Sequence, residues 1–207
     1  FFFFTLFFGI YALVHKRVTL RLWIVSLFSL FFFYKACGEY VIFILAAAVV
    51  DYNLSHAIAK SNSRAFKKTL LIGSIALNLG LLFYFKYTDF FIQMMNDWGN
   101  GNYELLHLAL PVGISFYTFL SLSYTLDVHR GHIQVQKSFL NFMVYVTMFP
   151  HLVAGPIVRY SEIQDTINER KTSWAMAWSG INRFCLGLFK KVVIANTASI
   201  LVEKYLD

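Results

Sequence analysis

The chain has 207 residues, 58% of them hydrophobic, 19% aromatic and only 14% charged, with a formal net charge of +7. Soluble domains carry roughly 25% charged residues. A water-facing surface cannot be assembled from this composition, so a soluble globular domain is excluded. In a bilayer the difficulty disappears, because helices satisfy their own backbone and turn apolar side chains to lipid. The expected fold class is therefore all-α, a multi-spanning transmembrane helical domain.

The first apolar run is Phe1 to Val14, short of the roughly 20 residues a span needs. The basic cluster His15-Lys16-Arg17 follows, with Arg21. A second run covers Leu22 to Tyr34 and ends near Lys35 and Gly38. A third goes from Tyr40 to Ala59, interrupted late by Asp51 and His56, which we place near the membrane interface, where charge is cheap. The basic loop Lys60, Arg64, Lys67, Lys68 comes next. The fourth run is Thr69 to Tyr87, and Gly73, Ala76 and Gly80 on one face of it suit close packing against another helix.

Thr88 to Leu108 is more polar, with Asp89, Asp97 and Glu104, and Asn96 to Asn102 carries turn chemistry. Trp98 and Tyr103 suit an interfacial belt. Pro111 opens a helix running to Val128, closed by Asp127-Val128-His129-Arg130-Gly131-His132. Ser115, Ser121 and Ser123 along it are expected to hold helices together. Basic residues gather in the loops at 15–21, 60–68 and 129–137. The loops between hold only Lys35 and Lys86. This alternation predicts an N-terminus outside and the basic loops in the cytoplasm.

Phe139 to Phe149 is apolar with a helical pattern. Then Pro150 and Pro156, with Gly155 between, break any helix. Irregular backbone at membrane depth survives only when buried in protein or lining a watery cavity. This is the expected cavity wall or re-entrant turn. Ser173 to Tyr205 is a long helix carrying Trp174, Trp178, Arg183, Lys190 and Lys191. It suits a position along the interface or against a polar cavity.

The candidate cavity-lining or substrate residues are His151, Arg159, Pro150, Pro156 and Asp127. His151 suits either a general base or hydrogen-bond partner of substrate, or a tie for the carbonyls freed by the broken helix. Arg159 suits either a bidentate contact to phosphate or carboxylate, or pairing with Glu162 and Asp165. His129 and His132, spaced i, i+3 beside Asp127, lack two further ligands, and no metal is expected. Cys37 and Cys185 form no disulfide framework. No catalytic constellation is complete within the chain.

Two long stretches carry a family resemblance. One is Leu110-Pro111-Val112-Gly113-Ile114-Ser115-Phe116-Tyr117-Thr118-Phe119, continuing through Ser123-Tyr124-Thr125-Leu126-Asp127-Val128 to Arg130-Gly131. The other is Met148-Phe149-Pro150-His151-Leu152-Val153-Ala154-Gly155-Pro156-Ile157-Val158-Arg159-Tyr160. Tyr84-Phe85-Lys86-Tyr87, Arg183-Phe184 and Gly187 to Val192 support them. Together they resemble the alginate O-acetyltransferase branch of the bacterial membrane-bound O-acyltransferases.

The resemblance implies a ring of helices around a funnel, and a reaction that passes an acyl group, usually acetyl, toward an exported polysaccharide. It implies an acyl thioester donor, acetyl-CoA or an acyl carrier protein, on the cytoplasmic side. It also implies a periplasmic acetyltransferase partner, no bound cofactor, no nucleic acid, and a multi-pass place in the bacterial inner membrane. The family's catalytic histidine lies in a Trp-His-Gly-type motif that does not occur in this chain. No catalytic role is therefore carried over to His151 or His129.

The chain begins on Phe1 without Met and ends at Asp207. It reads as the N-terminal portion of one such domain, with the C-terminal half absent. D-alanyl transfer to teichoic acid is a close variant. A transporter or flippase is the alternative from another class, since broken helices also build transport sites, but no inverted repeat is present. A catalytically silent scaffold is a third.

Overall fold

The computed structural model describes residues 2–14, 17–99, 101–152, 155–168 and 173–206. His15 and Lys16 of the first basic cluster, Asn100 of the turn stretch, and Val153 and Ala154 of the proline-rich stretch lie outside them. Among the described residues the chain is helical, with no strand. It divides into two compact units, Phe1–Glu169 and Arg170–Asp207.

The first unit begins with helix α1, Phe2–Leu13, followed by α2, Val18–Cys37, and α3, Val41–Lys60. Together Val18–Lys60 is one of three stretches among the described residues long and apolar enough to cross a membrane. Gly38 divides it. Its φ of +60° and ψ of −134° form a conformation that a side chain would strain, and a short 3₁₀ turn, Gly38–Tyr40, follows. Each resulting helix has 20 residues, about 30 Å at 1.5 Å per residue, the thickness of the hydrocarbon core.

Arg21 departs from the expected loop position. It lies in the first turn of α2, only 2% exposed, with its guanidinium 5.2 Å from the centre of the Tyr11 ring. The aromatic face absorbs a cation that would otherwise be costly to bury.

Helix α4 runs from Arg64 to Gly99, 36 residues, and is the second candidate span. The polar residues after Thr88 were expected to end it, and they do not. Instead they hold the returning chain. The Asp89 carboxylate accepts from the backbone N–H groups of Leu106 (2.9 Å) and His107 (3.0 Å). Asn96, two turns further, donates to the Tyr103 carbonyl and accepts from the Tyr103 N–H, both at 2.9 Å. Residues 101–111 have no regular structure of their own, and these side chains stand in for the missing backbone partners.

Helix α5, Ile114–Arg130, starts three residues after Pro111, behind a turn in which the Ile114 N–H donates to the Pro111 carbonyl at 3.1 Å. It ends on left-handed Gly131, with the His132 N–H reaching back to the Asp127 carbonyl at 2.9 Å, the Schellman arrangement. Helices α3, α4 and α5 pack against one another, while α2 packs against α1 and against the short helices α6, Phe139–Thr147, and α7, Phe149–Leu152. Helix α8, Tyr160–Asn168, rests on α5 and α6.

Among the described residues nothing packs on the small-residue face of α4. A Cβ on Gly73 or Gly80 would meet nothing within 4 Å. The buried face of α4 is the one bearing Ser74, Asn78 and Phe85.

The second unit is a run of helix from α9, Trp174–Phe189, through a π-helical segment Lys190–Ala195 to α10, Asn196–Leu206. Trp174–Tyr205 is the third stretch long and apolar enough to cross a bilayer.

Candidate functional site

The proline-rich element is built from three local decisions. First, the break precedes Pro150 rather than falling on it: Met148, at φ −59° and ψ 108°, ends α6. Pro150 then occupies the first turn of α7, where its missing N–H removes no hydrogen bond. Second, the Phe149 N–H, orphaned by the break, donates to Ser29 Oγ of α2 at 3.2 Å. The cap comes from 120 residues away in sequence. Third, the His151 N–H bonds to the Met148 carbonyl and the Gly155 N–H to the His151 carbonyl, both at 3.0 Å. A Cβ on Gly155 would stand 2.7 Å from His151 Cα and 2.8 Å from its carbonyl oxygen. Only glycine fits.

The break is clamped from one side by rings. Phe149 is buried against Phe7 at 5.3 Å, Phe3 at 5.4 Å and Phe32 at 5.6 Å between ring centres. At the far end of the stretch, Tyr160 is buried with Tyr124 and Tyr145, at 5.1 Å and 5.2 Å. The Tyr145 hydroxyl donates to the Val158 carbonyl at 3.2 Å. Gln136 ties the group to the loop after α5: its Nε2 donates to the Tyr160 hydroxyl at 2.5 Å, and its backbone N–H to the Tyr124 hydroxyl at 2.8 Å. Tyr160, residues 132–137, Gln164 and Asp165 line an open cleft of about 550 Å³.

The predicted site residues are distributed along this element. His151 is half-buried in α7, and its backbone, not its ring, closes the broken turn. Pro150, Pro156 and Arg159 are exposed. Arg159 forms no ion pair with Glu162 or Asp165 among the described residues; its carbonyl accepts from the Glu162 N–H at 3.1 Å. Asp127 belongs elsewhere, at the end of α5, with its carboxylate 3.6 Å from His132 Nδ1. No hydrogen bond or ion pair among the described residues joins Asp127 to His151. No cluster of three metal-ligating groups occurs among them either.

A second constellation was not anticipated. Asp51, expected near the interface, is the eleventh residue of the 20-residue α3 and is 0% exposed. Ser74 Oγ donates to its Oδ1 at 2.6 Å, and Asn78 Nδ2 to its Oδ2 at 2.7 Å. From α5, Ser121 donates to the same Oδ2, and the Tyr117 hydroxyl approaches it at 3.5 Å. Ser121 thus holds helices together as expected, with a carboxylate as its partner. The signal was in the sequence as two polar pairs, Ser74/Asn78 and Tyr117/Ser121, each at i, i+4 within an apolar run and hence on one face.

The chain is similar over nearly its whole length to proteins named as O-acetylases. It is 32% identical over 209 positions to the probable alginate O-acetylase AlgI of Pseudomonas aeruginosa, covering 98% of this chain and 40% of that protein. It is 30% identical to the protein of the same name from Azotobacter vinelandii, over 98% of this chain and 41% of that one. It is 32% identical to the peptidoglycan O-acetyltransferase of Helicobacter pylori, over 86% of this chain and 39% of that protein. These likenesses agree with the resemblance to the alginate O-acetylase-like branch of the membrane-bound O-acyltransferases. It spans about two fifths of the length of these relatives. No family model matches the chain, and no solved structure does. The described residues present a helical membrane scaffold, a broken element beside a cleft, and a buried carboxylate node.

Proposed function

We propose that this chain is part of a membrane O-acetyltransferase that moves an acetyl group from a cytoplasmic thioester donor to hydroxyls of an exported or cell-envelope glycan. In that reaction a sugar O–H attacks the thioester carbonyl. The C–O bond forms, the C–S bond breaks, and the hydroxyl proton is removed by a base and ends on the departing thiol. The single observation that carries this reading is the similarity to named O-acetylases across 98% of the chain, which takes in the whole Met148–Tyr160 element.

The chain's own residues supply position rather than proton transfer in this proposal. Pro150, His151 and Gly155 shape the wall of the acyl path, and Arg159 with Pro156 leads from it toward the cleft at Tyr160. That cleft lies on the 129–137 loop, which carries Arg130 and Lys137 and which the charge alternation assigns to the cytoplasm. A donor with a phosphate-bearing arm would meet these cations and those of the 60–68 loop. The partners proposed are that donor or its carrier protein and an acetyltransferase or glycan on the far side of the bacterial inner membrane. Transport and D-alanyl transfer are not favoured: the relatives are named for O-acetylation, and the sequence contains no inverted repeat.

The test is the acetyl-ester content of the envelope glycans in a deletion strain complemented with the full-length protein or its His151→Ala variant. Restoration by the wild type supports the function; unchanged acetyl content in the deletion strain would refute it. Full restoration by the variant would remove His151 from the acyl path and leave the rest standing.

A further inference from the structure

We propose that Asp51 and its neighbours form a binding site for a small monovalent cation, sodium-sized, inside the α3–α4–α5 packing. The inference does not rest on the acyl-transfer reading. The carboxylate is fully buried near the middle of a 20-residue span, where an isolated charge is costly and marks function by default. Its partners are two serine hydroxyls, a tyrosine hydroxyl and an amide. All of them are neutral. Hydrogen bonds spread the negative charge but do not cancel it. Among the described residues no basic side chain lies within ion-pair distance of Asp51.

A second observation points the same way. Asn78 is fully buried, and its Oδ1, on the amide whose nitrogen touches the carboxylate, has no hydrogen-bond partner. The node thus combines an uncompensated negative charge with an unused acceptor. Carboxylate, hydroxyl and amide oxygens form the donor set that hard cations prefer. Rotation of the hydroxyls of Ser74, Ser121 and Tyr117 turns their lone pairs, rather than their protons, toward an ion. A polar path continues from the node toward the Lys60 end of α3: the Thr125 hydroxyl donates to the Ser121 carbonyl at 3.1 Å, and Ser55 Oγ lies 3.3 Å from it. These hydroxyls extend the polar seam between α3 and α5 one turn toward the 60–68 basic loop.

The experiment uses the full-length protein in nanodiscs at constant ionic strength and pH. Thermal unfolding is followed in sodium, potassium or N-methylglucamine chloride, with radioactive sodium binding measured in parallel. The expected result is a midpoint that rises with the logarithm of sodium concentration, more steeply than with the other two cations. It is accompanied by saturable sodium binding that Asp51→Asn abolishes. The wild-type comparison stands even if a variant fails to fold. Equal midpoints in the three salts would overturn the site. So would a midpoint that responds to pH through Asp51 but not to sodium, which would assign a proton to the carboxylate instead.

Discussion

The two constellations solve one problem in opposite ways. Both place polar groups in apolar surroundings. Around Asp51, three long regular helices keep their backbone bonds internal, and neutral side chains on facing helices donate to the buried carboxylate. Around Pro150, the backbone itself is interrupted, and its orphaned groups find a serine from α2, a neighbouring carbonyl and a tyrosine hydroxyl. The first arrangement locks helices to one another. The second shapes a surface, because each local satisfaction leaves His151 and Arg159 free of side-chain ion pairs among the described residues. Stability should therefore be concentrated in the first region and activity in the second.

The harshest way to break that comparison is Asp51→Leu. It leaves Ser74 and Ser121 with buried donors and no carboxylate to accept them, each worth about 1–3 kcal/mol, and leaves Asn78 Nδ2 only its bond to the Ser74 carbonyl. We expect a loss on the order of 3 kcal/mol, read as a lower unfolding midpoint in nanodiscs. A midpoint equal to wild type would show that the node is not a lock. Next is Gly155→Ala, whose new methyl must displace backbone at 2.7 Å. Overpacking of this kind costs about 1–3 kcal/mol, and here acetyl transfer should fall further than stability does. A variant that unfolds earlier but keeps its activity would reverse the assignment.

Ser29→Ala sharpens the picture by removing the cap on Phe149 while leaving the ring cluster in place. A loss of about 1 kcal/mol is expected, together with faster hydrogen exchange at the Phe149 amide. Tyr160→Phe keeps the rings packed and deletes only the bond from Gln136, for a similar or smaller loss. The smallest effect belongs to Gly73→Ala. Nothing lies within 4 Å of its Cβ, so helix propensity alone acts, and stability should hold or rise by up to about 1 kcal/mol. A clear destabilisation would mean that the small-residue face of α4 does carry a partner.

Much of the architecture was legible because it follows from periodicity and solvent. The apolar runs became α1, α2, α3 and the first part of α4, and the division read near Lys35 and Gly38 became the break between α2 and α3. The proline-rich stretch was readable as a break, although its position at Met148 was not, since Pro150 belongs to the first turn of the next helix. The extension of α4 to Gly99 escaped the reading because Asp89 and Asn96 resemble turn residues in sequence. Only the returning chain, bonded to them at residues 103–107, supplies their partners. Asp51 escaped for a related reason: a charge late in an apolar run looks the same whether lipid headgroups or two facing helices receive it.

By itself, then, the sequence determined that this protein belongs in a membrane, that its spans are helical, and where the backbone must fail. Those outcomes depend on composition, on helical period and on the chemistry of proline and glycine, all of which act within a few residues. The tertiary structure decided which polar groups meet: Ser29 with Phe149, Gln136 with Tyr160, and Ser74, Asn78 and Ser121 with Asp51. These pairings depend on how helices distant in sequence face each other. A polar side chain in an apolar run declares a need for a partner, and only packing names the partner.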